Sequence, residues 1–267
     1  VFDALEGYIP FSFLYGGSDS ENMRNTIANI EQTSDGGYVM VGYSYSSASG
    51  NVSGINKGYS DAWIIKTDAL GKIQWEKMYG GNDEEGATAV RQTADGGYIV
   101  VCHTRSSNSG EVGTNKGNTN YWILKLNSLG NIVWNKMYGG SLSDIPGDVL
   151  QTPDGGYMVI GDSSSSNGDH SEVNRGAADI WLLKLDANGN KVWDKHYGGN
   201  SSDIWPKIRQ TSDGGYIISA HTYSSASFDV TGTNRGQSDI WILKINASGI
   251  KQWDKIYGGN LEDEPFS

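Results

Sequence analysis

Short apolar runs recur along the chain at regular intervals, and a glycine or a cluster of polar residues ends each run. Between residues 87 and 138 they read ATAVRQT, YIVVCHT, NYWILKLN and NIVWNKMY. Runs of about seven residues, rich in β-branched and aromatic side chains and bounded by turn signals, are typical of β-strands. No convincing 3.6-residue period of an amphipathic helix is present in the sequence. The pattern therefore predicts an all-β protein.

The four runs recur together as a unit of about 60 residues. The motif DGGY begins at Asp35, Asp95, Asp154 and Asp213. The motif YGG begins at Tyr15, Tyr79, Tyr138, Tyr197 and Tyr257. We therefore place four full repeats at approximately 22–81, 82–140, 141–199 and 200–259. An extra N-terminal strand at 9–17 precedes them, and 260–267 is the start of a further repeat or a tail.

Each repeat reads as four antiparallel strands, which is the blade of a β-propeller. The DGG between the first and second strands is a tight hairpin turn in which glycine adopts a positive φ. One repeat cannot bury both of its faces alone, so the copies must stack on one another. Two tryptophans in every repeat suit the interfaces between blades. They are Trp63 with Trp75, Trp122 with Trp134, Trp181 with Trp193, and Trp241 with Trp253. We predict a single β-propeller domain over 1–267, with four blades.

The segment IIKTDALGKIQWEKMYGG, at 64–81, resembles the tryptophan-docking segment of PQQ-type propeller repeats, in which Asp, a Gly turn and Trp follow one another. The wider unit, DAWIIKTDALG with W, YGGNDEE and ADGGYIVV after it, is similar to the β-propeller repeats common in secreted and surface proteins of bacteria. That resemblance implies an extracellular setting and, often, a module inside a longer multidomain chain or assembly. The residues of the PQQ site have no match here, so the resemblance does not imply that cofactor.

The chain is acidic, with 20 Lys and Arg against 31 Asp and Glu and a formal net charge of -11. Such a surface repels the phosphates of nucleic acids and anionic membrane surfaces. No apolar run approaches the roughly 20 residues of a membrane helix, so we expect no membrane insertion. The single cysteine, Cys102, aligns with Gly42, Gly161 and Ala220 of the other repeats, which predicts a small buried residue. The first residues, VFDALEGYIP, lack a signal-peptide pattern, so secretion would mean that the signal was removed or the chain trimmed.

The long connections between the second and third strands of the repeats all lie at one end of the predicted propeller. The second strand of each repeat ends, and the third begins, at the rim where the fourth strand leads into the next repeat. We call this rim the loop-rich face. Long loops on a rigid scaffold are where binding usually occurs. No GxSxG, HExxH or phosphate-loop motif is present in the sequence.

An acidic residue stands six positions after each YGG tyrosine, at Glu21, Glu85, Asp144 and Asp203, with Asp263 in the trailing copy. Carboxylates that converged near the propeller axis could hold calcium, which takes several oxygen ligands. The alternative is that each acid accepts backbone N–H bonds at its own turn, and its recurrence in every copy favours this alternative.

A basic residue lies inside each Asn–basic–Gly motif, at Lys57, Lys116, Arg175 and Arg235. These residues could grip a carboxylate or a sulfate. The favoured alternative is that each forms a pair with a nearby acid and stabilises its loop.

One position at the end of the second strand varies between copies: Tyr43, His103, Asp162 and His221. Two residues later stand Tyr45, Arg105, Ser164 and Tyr223. The histidines and the aspartate could ligate a transition metal or form a general acid–base set. They could also line a polar binding rim, or be partly exposed strand-end residues without a shared role. The second strand is not the innermost one, which argues against one shared ion.

Trp205 is the one tryptophan outside the repeated pairs, and it lies two residues after Asp203. It could stack on a sugar ring at the loop-rich face. A buried place at the start of its strand is the alternative.

These observations favour a non-catalytic extracellular module that binds or acts as a scaffold, with a glycan as the favoured ligand and a surface protein as another possible partner. The motive is an acidic rim rich in Ser, Asn and Gly, with scattered aromatics and no catalytic signature. One alternative is a hydrolase or lyase that acts on polysaccharide, which requires two carboxyls about 5–10 Å apart. Another is a structural repeat of a surface layer or filament. We expect the protein to be secreted or attached to the cell surface.

Overall fold

The computed structural model describes residues 29–263, which form four antiparallel sheets of four strands each. Blade I contains β1 (Asn29–Gln32), β2 (Tyr38–Ser44), β3 (Asp61–Thr67) and β4 (Ile73–Tyr79). Blade II contains β5 (Glu85–Gln92), β6 (Tyr98–Thr104), β7 (Asn120–Leu126) and β8 (Ile132–Tyr138). Blade III contains β9 (Asp144–Gln151), β10 (Tyr157–Ser163), β11 (Asp179–Leu185) and β12 (Lys191–Tyr197). Blade IV contains β13 (Asp203–Gln210), β14 (Tyr216–Thr222), β15 (Asp239–Ile245) and β16 (Lys251–Tyr257).

The predicted all-β propeller with four four-stranded blades is confirmed. In each blade the strands pair in chain order, first to second, second to third and third to fourth. No helix within residues 29–263 is long and apolar enough to cross a membrane. The predicted extra strand at 9–17 lies outside the described residues.

The DGGY motif builds a turn and also fastens it to the third strand. In blade III, Gly155 has a φ of 81°, as the predicted turn requires. Asp154 accepts hydrogen bonds from the Gly156 amide at 3.0 Å and from Lys184 Nζ at 2.8 Å. The bond from Lys184, followed by that from Thr152, lowers the pKa of Asp154 to about 2. The aspartate of DGGY and the lysine of the third strand therefore recur together because they form one ion pair per blade.

The two tryptophans of a repeat have different positions. The first, on the third strand, is buried in all four copies, and in blades II to IV it belongs to a core cluster that includes residues of the preceding blade. The second, on the fourth strand, packs against the next blade, so that Trp75 meets the ring of Tyr98 edge-on at 5.6 Å and Trp134 meets Tyr157 at 5.8 Å. The prediction that the tryptophans lie at interfaces between blades is therefore confirmed in blades II and III, but it is wrong for Trp253, which is 45% exposed.

Consecutive blades pack through their first strands, β1 on β5, β5 on β9 and β9 on β13. Asp148 of β9 is buried between them and accepts hydrogen bonds from Arg91 of β5 at 2.7 Å and from Arg209 of β13 at 2.6 Å. Within residues 29–263, no strand of blade IV packs extensively on a strand of blade I. The four blades therefore form a consecutive series, and no strand within residues 29–263 covers the outer face of the last one.

Candidate binding surface on the loop-rich face

In blades II, III and IV the acid that follows the YGG motif has its own cage of hydrogen bonds, and we call this residue the cage acid. Asp144 accepts bonds from the Gly140 amide at 2.7 Å and Ser165 Oγ at 3.1 Å, and a further bond from Ser163 Oγ. Asp203 accepts equivalent bonds from the Gly199 amide at 2.7 Å, Thr222 Oγ1 and Ser224 Oγ. Each acid therefore ties the YGG connection to the end of the second strand, as the local-turn alternative predicts.

Glu85 has the same role in blade II, where it accepts bonds from the Gly81 amide at 2.6 Å and from Thr104 Oγ1. Glu21 lies outside the described residues. No group of three or more His, Cys, Asp or Glu in the described part of the chain could hold a metal ion. The structure thus does not bring Glu85, Asp144 and Asp203 together as shared calcium ligands.

A second buried acid lies beside the cage acid at two of the three junctions between blades, a feature that we did not predict. Asp61 Oδ1 and Glu85 Oε2 lie within 2.4 and 2.8 Å of the same point, where a Cβ on Gly80 would stand. Burial raises the pKa of Asp61 to about 6, and it raises that of Asp179, the equivalent residue beside Asp203, to about 6 as well. Between blades II and III the equivalent residue is Asn120, whose Nδ2 donates to Asp144 Oδ2 at 3.1 Å.

The basic residues bridge consecutive blades. Lys57 pairs with Glu111, Lys116 with Asp169, and Arg175 with Asp229. In each pair the acid lies in the loop between the second and third strands of the following blade. The loop-stabilising alternative is therefore confirmed for these three, while Arg235 reaches no acid within the described residues and only approaches the Gly258 carbonyl, at 3.4 Å.

The variable position divides into two groups at different junctions. At the junction of blades I and II, Tyr43 meets Tyr45 edge-on at 5.5 Å, and Tyr45 meets the exposed Tyr59 at 5.2 Å. In the same region of blade II, Glu84 lies 2.8 Å from Arg105 Nη1 and 3.7 Å from His103 Nε2. These side chains form a partly exposed aromatic and charged patch on the rim.

The second group lies at the junction of blades III and IV, where the structure brings Asp162, Trp205 and His221 together. Asp162 is buried, and its Oδ1 accepts the backbone N–H of Trp205 at 3.2 Å. The Trp205 ring meets His221 edge-on, with 4.9 Å between ring centroids. Burial raises the pKa of Asp162 to about 7, although the bond from Trp205 opposes the shift. His221 is itself buried, so it is not an exposed strand-end residue.

Trp205 has an unusual backbone. Its φ is 54°, in the left-handed region that bulky residues avoid, and Pro206 follows it. It occupies an irregularity in the pairing of β13 with β14, between Ile204 and Lys207. The indole is 43% exposed, so the buried alternative for this residue is wrong. Backbone strain of this kind persists where surrounding structure holds it, and it clusters at functional sites.

Two further predicted positions lie in blades II and IV. Cys102 is fully buried, and burial raises the pKa of its thiol, as expected for a small core residue. The predicted rim residue Tyr223 donates from its hydroxyl to Glu262 at 3.4 Å. A pair that we did not predict lies in blade III, where His170 Nδ1 and His196 Nε2 are 2.9 Å apart and His170 Nε2 is 3.3 Å from Asp144 Oδ1.

No family model matches the chain, and no curated protein matches it in sequence. Among solved structures it is similar to Kuenenia stuttgartiensis hydrazine synthase, at 13% identity over 87% of this chain and 68% of that chain, with a TM-score of 0.43. For cobalt-substituted Synechocystis ACO the identity is 13% over 86% of this chain and 49% of that chain, with a TM-score of 0.47. For the GH43 protein BlXynB from Bacillus licheniformis it is 11% over 82% and 39%, with a TM-score of 0.41. All three TM-scores are below 0.5, and membership of the bacterial repeat family stays a prediction.

Proposed function

We propose that the chain is a non-catalytic binding module that takes a glycan on its loop-rich face, at the surface formed by Asp162, Trp205 and His221. The observation that carries the proposal is the exposed indole of Trp205 on a strained backbone. The buried carboxyl of Asp162 accepts the Trp205 backbone N–H, and the buried imidazole of His221 contacts the indole ring. A flat, rigid, half-exposed aromatic ring offers apolar area to the C–H face of a sugar while its N–H remains able to donate.

The repeats themselves support a specific role for Trp205. Its counterparts at the same position are Ala87 and Pro146, both buried. Blade packing therefore requires no tryptophan there, and an indole that leaves the protein interior gains no folding energy from burial. The tyrosine patch at Tyr45 and Tyr59 is a second aromatic surface on the same face, which suits a ligand with more than one sugar unit.

The proposal is tested by screening the full chain against a glycan array and measuring the affinity of any ligand by calorimetry. We expect Trp205→Ala to weaken binding at least about tenfold, because a central aromatic anchor contributes more than ~1 kcal/mol. Trp253→Ala is the matched control, since that indole is exposed to a similar degree but lies on the last strand of blade IV. Equal loss in both variants, or no ligand on the array, would show the proposal to be wrong.

One observation favours a second candidate, a hydrolase or lyase of polysaccharide. The pKa of Asp162 is raised to about 7, as a general acid requires at neutral pH. Its Oδ1, however, is already used by the Trp205 amide, and the negative charge that acts on it comes from Asp144, which is itself held in a cage of hydrogen bonds. Release of reducing ends from the array ligand by the wild-type chain, and its loss in Asp162→Asn, would support the enzyme instead. A secreted or surface location remains part of the proposal and rests on the repeat resemblance.

A further inference from the structure

Three contacts recur at every junction between consecutive blades. First, the YGG tyrosine of one blade donates its hydroxyl to a glycine carbonyl in the last turn of the next blade, as Tyr138 does to Gly189 at 2.6 Å. Second, the fourth-strand tryptophan packs against the following blade. Third, the residue of the Asn–basic–Gly motif pairs with an acid in the following blade. Together they define the forward face of a blade.

Blade IV has all three elements of a forward face, and they are uncovered. Tyr257 is 58% exposed, whereas its counterparts Tyr79 and Tyr197 are 9% and 3% exposed. Trp253 is 45% exposed, and the guanidinium of Arg235 forms no ion pair within the described residues. The two large aromatic rings and the cation are therefore presented to solvent in the arrangement that the other blades use to bind a neighbour.

The chain beyond blade IV follows the path that begins a blade. At each junction the cage acid donates its backbone N–H to a carbonyl just before the third strand, as Glu85 does to Ser60 at 2.8 Å and Asp203 to Ala178 at 2.7 Å. Asp263 makes the equivalent bond to the Ser238 carbonyl at 2.9 Å, and its carboxylate accepts the Gly259 amide at 2.6 Å. The backbone is thus directed over the uncovered face.

Blade I does not have the complement to this face. The acids that receive the basic residues are Glu111, Asp169 and Asp229, and the aligned residue of blade I is Asn51. An amide at this position offers Arg235 no negative charge. The required partner is therefore a repeat of the type of blades II to IV.

We propose that the forward face of blade IV is a docking surface for a further repeat of the same kind, one that carries an acid at the loop position of Glu111, Asp169 and Asp229. Charge complementarity with Arg235 selects that repeat, and a glycine turn with its free carbonyl receives Tyr257. This surface lies on the last strands of blade IV, apart from the proposed glycan surface, so either proposal can fail without the other.

The test extends the full chain with a copy of its own second repeat, residues 82–140, joined after Gly259 in place of the last eight residues. We expect acrylamide quenching of Trp253 fluorescence to fall about twofold, because the added blade buries the ring. The contribution of Trp253 is obtained as the difference between each chain and its Trp253→Phe variant. In the extended chain, Arg235→Ala should lower the folded-to-unfolded ratio about threefold, as expected for loss of one partly exposed ion pair. In the original chain the same substitution should change nothing.

The acid of the added repeat supplies the matched control. Glu111→Gln placed only in the added copy should cause the same loss as Arg235→Ala, and the two changes together should cost no more than either alone. A second extended chain carries residues 141–199, with Asp169, in place of 82–140. It keeps the test valid if the copy of the second repeat fails to fold. If Trp253 stays accessible in both forms, or if the original chain associates with a second copy that buries Trp253, the proposal is wrong.

Discussion

The junction of blades II and III and the junction of blades III and IV follow the same backbone path with different chemistry. At the first, the cage acid Asp144 meets an amide, Asn120, and an imidazole, His170. At the second, Asp203 meets the carboxyl of Asp179, while Val230 stands at the position of His170. One cage acid therefore has an amide donor and an imidazole beside it, and the other has a second acid.

This difference indicates the protonation state of the acid pair. Asn120 Nδ2 donates to Thr119 O, Gly140 O and Asp144 Oδ2, three acceptors at 2.9, 3.1 and 3.1 Å. Asp179 Oδ1 occupies the corresponding place and is buried without a hydrogen-bond partner within the described residues. An oxygen in such surroundings is stabilised by a proton, which agrees with the raised pKa of Asp179, for which burial is the main cause.

The largest expected effect comes from removing the cage acid. Asp144→Ala leaves the Gly140 amide, Ser163 and Ser165 without their acceptor, and we expect it to lower the free energy of unfolding by about 4 kcal/mol. Asp203→Ala removes equivalent bonds but also relieves repulsion with Asp179, so its cost should be smaller by about 1 kcal/mol. Urea denaturation of both variants at pH 7 makes the comparison. Equal losses would mean that Asp179 does not repel Asp203.

The next effect comes from exchanging the chemistry of the two junctions. Asp179→Asn gives the third junction the amide of the second. We expect it to stabilise the protein by about 1–2 kcal/mol at pH 7, because the amide donates a hydrogen bond and does not place a buried negative charge beside Asp203. Asn120→Asp is the matched reverse change and should destabilise by a similar amount. Urea midpoints at pH 7 measure both.

The pH dependence of this effect has a definite sign. A folded-state pKa of about 6 for Asp179, against a usual value of 3.8, means that the folded chain holds a proton which the unfolded chain has lost. The contribution of Asp179 to stability is therefore complete below about pH 4 and is lost as the pH rises through 6. Asp179→Asn should remove this decline. An unchanged pH profile would show that the fold does not raise the pKa of Asp179.

The sequence predicted the frame of the molecule because the frame is repeated. DGGY and the third-strand tryptophan occur four times and the YGG motif five times, so the strands and turns predicted from one repeat could be compared with the other repeats. The cage acids recur for the same reason, because each of those described accepts the amide of its own YGG connection. The role of a residue that differs between copies could not be predicted in this way, because it depends on which side chains of neighbouring blades contact that residue.

Three features illustrate that limit. The register shift near the start of the first strand recurs in blades II and III, but only in blade IV does it leave two residues unpaired, Trp205 and Pro206, and the sequence does not specify that difference. The contrast between Asn120 and Asp179 has meaning only once both are seen to face a cage acid. The aligned repeats do mark His170 and His196 as unusual. The other blades have valine at the position of His170, and methionine or isoleucine at the position of His196.

The smallest expected effect concerns that histidine pair. Val52, Val112 and Val230 stand where blade III has His170, and Met78, Met137 and Ile256 stand where it has His196. Burial, and then the adjacent His170, lowers the pKa of His196 to about 4. Asp144, Asp194, Glu172 and Arg175 are the charged groups near the pair. Because the unfolded chain takes up a proton near pH 6.5 that the fold resists, stability is lost as the pH falls from 6.5 toward 4.

The double variant His170→Val with His196→Met gives blade III the apolar contact of blades I and II. We expect the loss of stability between pH 6.5 and pH 5 to become smaller by about 1 kcal/mol, since one fewer proton is excluded from the fold. Urea denaturation across this range measures the change, and it separates the pair from Asp179, whose contribution runs in the opposite direction with pH. His103→Ala is the control, because that histidine is only half-buried beside Glu84. An equal change in the control would mean that burial of the pair is not the cause.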